Sequence, residues 1–165
     1  MSGTIIRRAR VEDAESLLHY VGGLLAEKLD VVSNDLNLTL EKEREWVEAT
    51  NKSGAVIVAE RLSEIVGLID IRRGERASRA HSGSFGMSVA KACRRQGIGR
   101  RLLEAAVQEA KSWPGFCRLE LEVVLWNTAA IALYEKLGFK LEARKAKAVN
   151  FRGRPEDMLL MALTW

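Results

Sequence analysis

Residues 93–101 read CRRQGIGRR, and the fold turns on what this stretch does. Gly97 and Gly99 stand one residue apart, and Arg94, Arg95, Arg100 and Arg101 flank them. An amphipathic pattern begins at once, with Ile98, Leu102, Leu103, Ala106, Val107 and Ala110 on one face. That spacing predicts a helix, stopped at Pro114 and Gly115. A strand that enters a helix through such a loop exposes the helix's first backbone N–H groups. Those donors and the helix dipole favour an anion by roughly 0.3–1 kcal/mol, and up to about 2 kcal/mol when partly buried. The glycines remove Cβ atoms that would keep a phosphate from the main chain. Two familiar phosphate loops are excluded. A Walker A loop needs Lys-Ser/Thr where Arg100 and Arg101 stand, and the dinucleotide fingerprint needs a third glycine where Leu102 stands. On these residues alone, a plain turn with solvated arginines is equally open.

Working outward, HSGSFGMSVA (81–90) reads as the strand feeding the loop, its glycines marking a bulge or a close backbone approach. AVIVAE (55–60) and EIVGLIDIR (64–72) read as two strands paired across RLS, followed by the basic loop RGERASRA. Upstream lie a short strand, TIIRRA (4–9), and a helix over 11–28 with Ala14, Leu17, Leu18, Val21, Leu24 and Leu25 in helical spacing, weakened or bent at Gly22 and Gly23. A loop over 29–37 and a second helix over 39–54 follow, with Thr39 as N-cap and Gly54 beyond its end. Downstream, CRLELEVVL (117–125) reads as a strand with Glu120, Glu122 and Val124 opposite Leu119, Leu121 and Val123. NTAAIALYEKLG (127–138) reads as a helix capped by Asn127 and ended by Gly138. FKLEARKAKAV and EDMLLMALTW close the chain as two strands around NFRGRPE. The predicted order is β α α β β β α β α β β, a mixed α/β domain.

Composition sets the bounds. With 165 residues, 47% of them apolar, the chain is expected to form one domain over 1–165. No apolar run is long enough to span a bilayer, and the N-terminal residues lack the apolar core of a signal peptide. Cys93 and Cys117 have no metal-ligand spacing, so neither a disulfide scaffold nor a metal site is expected, and the cytoplasm is the expected setting. A formal charge of +4 suits an anionic ligand. The arginines are scattered and aromatic residues are only 6%, so nucleic acid is not an expected partner.

The chain resembles the GNAT N-acetyltransferases. Their loop signature, Arg/Gln-x-x-Gly-x-Gly/Ala, is met by Arg94, Gly97 and Gly99 after FGMSVA, and their strand–Asn–helix–Leu-Tyr-x-x-x-Gly-Phe signature by LEVVLWNTAAIALYEKLGF. The resemblance runs from residue 4 to the end. It implies the GNAT fold, a mostly antiparallel sheet flanked by helices, and acetyl-CoA as cosubstrate with no metal. The diphosphate would be held by the loop residues Arg94, Arg95, Gln96, Gly97, Ile98, Gly99 and Arg100. The pantetheine arm would pair with main chain at Met87, Ser88 and Val89, and Asn127 could hydrogen-bond it.

Acetyl transfer needs a neutral amine, a stabilised oxyanion and a proton for the departing thiolate. By pattern alone Tyr134 packs its helix face with Ala130, Ile131 and Leu137. The resemblance makes it the general acid. Similarity to the ribosomal-protein alanine acetyltransferases makes Glu122 the general base, against the alternatives of a solvent-facing or arginine-paired glutamate; Glu120, His81 and water are the other candidates. Transfer is expected to be direct, in a ternary complex, to a small-molecule primary amine such as an amino acid. Protein N-termini and a noncatalytic acyl-CoA sensor are the alternatives, and a homodimer stays open. The family recognises its acceptor through loops that fall here at about 29–38, with Asp30 and Asp35, and about 150–157, with Arg152 and Arg154. Those charges would suit a zwitterion.

Overall fold

The computed structural model describes residues 3–27 and 38–165. Its strands are β1 (Ile5–Arg8), β2 (Ala55–Arg61), β3 (Glu64–Arg73), β4 (Ser82–Val89), β5 (Arg118–Val124), β6 (Lys140–Phe151) and β7 (Arg154–Thr164). The α-helices are α1 (Ala14–Ala26), α2 (Leu40–Ser53), α3 (Ile98–Lys111) and α4 (Thr128–Lys136). The predicted order is the observed one. The strands form a seven-stranded sheet in the order β1-β2-β3-β4-β5-β7-β6. β4 and β5 pair in parallel, whereas β1/β2, β2/β3, β5/β7 and β6/β7 are antiparallel. The chain packs as two compact units, Met1–Arg72 with Gly86–Glu109, and Arg73–Phe85 with Ala110–Trp165. β4 therefore contributes one end to each.

In the first unit β2 is buried from Ala55 to Ala59, as its apolar run requires. Leu17, Tyr20 and Leu24 of α1, Val47 of α2, and Val56 and Val58 of β2 share one apolar cluster. α1 runs unbroken through Gly22 and Gly23, because packing of its apolar stripe outweighs their propensity cost. Thr39 caps α2 as expected, its side chain accepting the Lys42 N–H at 3.3 Å. On α3 the residues Ile98, Leu102, Leu103 and Ala106 are buried.

In the second unit β7 lies between β5 and β6, in register from Arg118↔Thr164 to Val124↔Met158 on one side. The β6–β7 hairpin turns through Arg152 and Gly153, both at positive φ, the geometry of a two-residue hairpin that matches strand twist. β6 is one edge of the sheet and β1 the other. The β6 edge is exposed from Lys140 to Ala148, carries Lys140, Arg144, Lys145 and Lys147, and slips register twice.

One ion cluster locks the start of the first unit. Arg7 on β1 donates from both terminal nitrogens to Asp13 at 2.7 Å and from Nε to Glu60 of β2 at 2.7 Å. Asp13 also accepts the Arg10 N–H at 2.7 Å. The Arg7 guanidinium holds the Asp13 carboxyl below the usual range. A depressed carboxyl pKa contributes stability above the unfolded value, about 3.9, and loses it as pH falls through the folded value. Asp13→Asn should therefore destabilise the protein at pH 7 by about 1–3 kcal/mol, the range for bonds to charged groups. The gap to wild type should close on acidification below about pH 4, as measured by urea unfolding at each pH.

Candidate active site

The glycine loop belongs to the first unit. From the end of β4 the chain passes through a short 3-10 turn, Lys91–Cys93, into α3. Gly97 has φ +79°, a left-handed turn that L-residues disfavour, and a Cβ built there would meet nothing within 4 Å. Arg95 also has positive φ. The first intrahelical bond of α3 is Arg101 N–H to Gly97 O at 3.1 Å. The N–H groups of Ile98, Gly99 and Arg100 precede it and stay available at the helix start. The Ile98 side chain is buried, so any contribution it makes to a ligand is through its main chain.

The four arginines do different things. Arg94 pairs with Glu27, just beyond α1, at 2.5 Å, and its Nε donates to Val89 O at 2.8 Å. Glu27 also accepts the Lys91 N–H at 3.3 Å. Arg94 thus ties the last carbonyl of β4 to the end of α1. Arg100 pairs with Glu104 at 2.8 Å along α3, and Arg101 donates to Thr4 O at 3.0 Å. Arg95 forms no ion pair among the described residues. Gln96 receives a bond from Arg61 at 2.9 Å and donates to Ala92 O at 3.0 Å, closing the turn on itself. On β4 Met87, Ser88 and Val89 are half-buried, and the Ser88 hydroxyl lies 3.0 Å from the Tyr20 hydroxyl. Burial pushes Tyr20 up to about 12, so this phenol is a neutral hydrogen-bonding group.

The second unit holds the predicted acid and base. Asn127 caps α4, its Oδ1 accepting the Ala130 N–H at 3.3 Å, while Gly138 ends the helix at φ +90°. Tyr134 is buried, its ring edge-on to Phe85 at 5.9 Å and tilted against Phe139 at 6.0 Å. Burial pushes its phenol up to about 12. Its hydroxyl has no hydrogen-bond partner among the described residues. Glu122 is 42% exposed and paired with Lys145 at 2.7 Å, a lysine on β6 in place of the arginine contemplated from sequence. Glu120 is held by Arg118 at 2.8 Å. His81 is exposed, and its carbonyl accepts the Cys117 N–H at 2.9 Å.

Asp30 and Asp35 lie outside the described residues. Arg152 stacks on Phe151 at 5.2 Å in the β6–β7 turn, and Arg154 opens β7. Both cysteines are free, and no group of three His, Cys, Asp or Glu among the described residues is placed to hold a metal. No helix among those residues is long and apolar enough to cross a membrane. Three polar residues escaped the sequence reading. Tyr20 falls in the apolar stripe of α1, and Glu27 meets Arg94 only through the fold. Asp70 alone left a local signal, as a carboxylate inside the apolar run of β3.

The family model described as Acetyltransferase (GNAT) family matches residues 24–139. The chain is 26% identical to the L-amino acid N-acetyltransferase AaaT of Escherichia coli K12 over 98% of each chain. It is 40% identical to the ribosomal protein bS18-alanine N-acetyltransferase of the same strain, over 48% of this chain and 53% of that one. A crystal structure of a GNAT-family acetyltransferase from Streptococcus pneumoniae superposes with a TM-score of 0.92 at 26% identity, covering 98% of this chain and 99% of that one.

The geometry of Glu27 and Arg94 makes a direct demand on the loop. Glu27→Ala releases both the Lys91 N–H and Arg94, partly exposed contacts worth about 1 kcal/mol together. Amide hydrogen exchange over residues 90–96 should then quicken by roughly fivefold while β2 and β3 exchange as before.

Proposed function

Because the chain belongs to the GNAT acetyltransferase family, we propose that it transfers the acetyl group of acetyl-CoA to the primary amine of an amino acid or a similar small molecule, in a ternary complex. The observation that carries the acceptor class is the extent of likeness to the L-amino acid enzyme, which spans 98% of both chains. Transfer to the N-terminal alanine of a protein is the second reading. It is favoured by the higher identity, 40%, over about half of the alanine enzyme's length.

The coenzyme supplies an acetyl group activated as a thioester. The residues present fit its anionic end. The N–H groups of Ile98, Gly99 and Arg100 stand ahead of the first helical bond, Gly97 leaves the turn open, and Arg95 pairs with no carboxylate among the described residues. Backbone donors therefore carry most of the diphosphate affinity, because Arg94 and Arg100 are engaged by glutamates. Met87, Ser88 and Val89 would hold the arm through main chain, with the Nδ2 of Asn127 as a further donor.

Tyr134 is assigned to the departing thiolate. Full proton transfer from a phenol at about 12 to a thiolate whose conjugate acid lies near 8.5 is uphill by roughly 5 kcal/mol. The phenol therefore serves as a neutral hydrogen-bond donor to the growing negative charge, and solvent delivers the final proton. Glu122 is assigned as the base, acting through water once Lys145 releases it. Both carboxylate and lysine are about half exposed, so separating them costs at most about 1 kcal/mol.

The deciding experiment is an acetyl-transfer panel with free-thiol readout across the twenty L-amino acids, spermidine and a tripeptide beginning with alanine. Turnover confined to amino acids supports the first reading, and turnover confined to the peptide the second. Tyr134→Phe should lower kcat by roughly 10²-fold, as loss of one transition-state donor does, with the acetyl-CoA Kd by calorimetry within twofold of wild type. Glu122→Gln should lose most at neutral pH and recover in part near pH 9–10, where more of the amine is already deprotonated. An unchanged pH–rate profile would remove Glu122 from the base's role.

A further inference from the structure

We infer that Asp70 is the residue that receives the ammonium group of the acceptor, its carboxylate lying over Gly86 beside the stretch of β4 assigned to the coenzyme arm. The inference rests on the amine-acetylation reading above and adds the group that recognises the amine.

β3 alternates, so Leu68, Asp70 and Arg72 share one face. The register sets Asp70 opposite Val56 and Leu68 opposite Val58, and both valines belong to the cluster formed with α1 and α2. Asp70 is thus a carboxylate on a face whose neighbours toward α1 and α2 are apolar and whose one charged neighbour on β3 is Arg72, with 17% of its side chain exposed. A buried charge is costly unless it is paired and hydrogen-bonded. Its partner is Arg72, with Nε 3.0 Å from Oδ2, but the Arg72 side chain is 59% exposed and gives little in return. Burial accordingly pushes the Asp70 carboxyl above its usual range. A carboxylate kept where it destabilises the fold calls for a function.

Its position supplies one. Oδ1 of Asp70 lies 3.0 Å from where a Cβ on Gly86 would stand, tighter than most real Cβ contacts. A side chain at 86 would therefore push the carboxylate back by a few tenths of an ångström, and glycine lets it lean fully onto β4. Gly86 is the residue before Met87 on β4. An arm anchored at the glycine loop and running back along Val89, Ser88 and Met87 brings its acyl end toward Gly86. The amine that attacks the acyl carbon must arrive at that end. An ammonium there meets the Oδ1 side of a mostly buried carboxylate, where opposite charges attract more strongly than in water, and shares it with the Arg72 guanidinium, one terminal nitrogen of which lies 3.8 Å from the same Cβ point on Gly86.

The test is Asp70→Asn, which keeps the shape and removes the charge. With the best acceptor of the panel, the acceptor KM should rise about 10- to 100-fold, while the acetyl-CoA Kd stays within twofold. The Tm should rise by a few degrees, because a poorly compensated charge has left the interior. A purely structural Asp70–Arg72 pair makes the opposite forecast, a lower Tm with the acceptor KM unchanged, and that result overturns the inference. Gly86→Ala is the second variant. Its Cβ displaces the carboxylate, so it should raise the acceptor KM in the wild-type background and add little on top of Asp70→Asn. Full additivity of the two changes would also overturn the inference. A wild-type protein that acetylates no member of the panel fails the acceptor class itself. A wild-type protein that acetylates one, with Asp70→Asn shifting its KM by less than threefold, fails Asp70 alone.

Discussion

Arg94 holds together two parts of the first unit that must not drift apart. Its Nε takes the carbonyl at the end of β4 and its terminal nitrogen takes Glu27 beyond α1. The left-handed turn at Gly97 and the unbonded amides at the start of α3 have a fixed aim only if the chain leaves β4 at a fixed angle. A helix start is a weak anion site when its approach is loose, since the donors must converge on one point. The pairing makes this signature arginine a brace between the end of β4 and the end of α1. Tyr20 and Ser88 repeat the device one step back along the strand.

Much of this was legible in the sequence because it is written locally. The CRRQGIGRR turn, the stripe of α3, the caps at Thr39 and Asn127 and the stop at Gly138 depend on residues within a few positions of one another, and they formed as their spacing implied. What could not be read is what comes from far along the chain. Four flanking arginines suggested a field of positive charge, but Glu27 neutralises one from 67 positions away and Glu104 another along the helix. Spacing put Tyr134 on a packed face. The pushed-up phenol needed Phe85 and Phe139 to close around it, and neither lies on α4. Glu122 faced away from the buried side of β5 as alternation required, yet its partner Lys145 could be known only from the strand pairing.

The same contrast separates the two kinds of charge in this protein. Arg7, Asp13 and Glu60 form a mutually satisfied cluster in which the guanidinium faces two carboxylates and Asp13 takes a backbone N–H as well. Asp70 has a carboxylate in a worse setting with a poorer partner. Stability would be served by neutralising the second and leaving the first. Clusters of the first sort hold a fold in place, and lone groups of the second sort mark where a fold has been asked to do something else.

The place of β7 has a consequence for how the polypeptide is made. β7 comes after β6 in the chain but lies between β5 and β6 in the sheet. When β5 leaves the ribosome, the side that will receive Met158–Thr164 has nothing to pair with. Roughly 40 residues separate Val124 from Thr164, which at typical synthesis rates is about 2–8 s of waiting. During that interval β5 offers an unpaired strand edge of the kind that recruits other chains, with Leu119, Leu121 and Val123 on one face and Glu120 and Glu122 on the other. Once β7 has closed the gap, β6, studded with lysine and arginine, is the edge left showing on that side of the sheet.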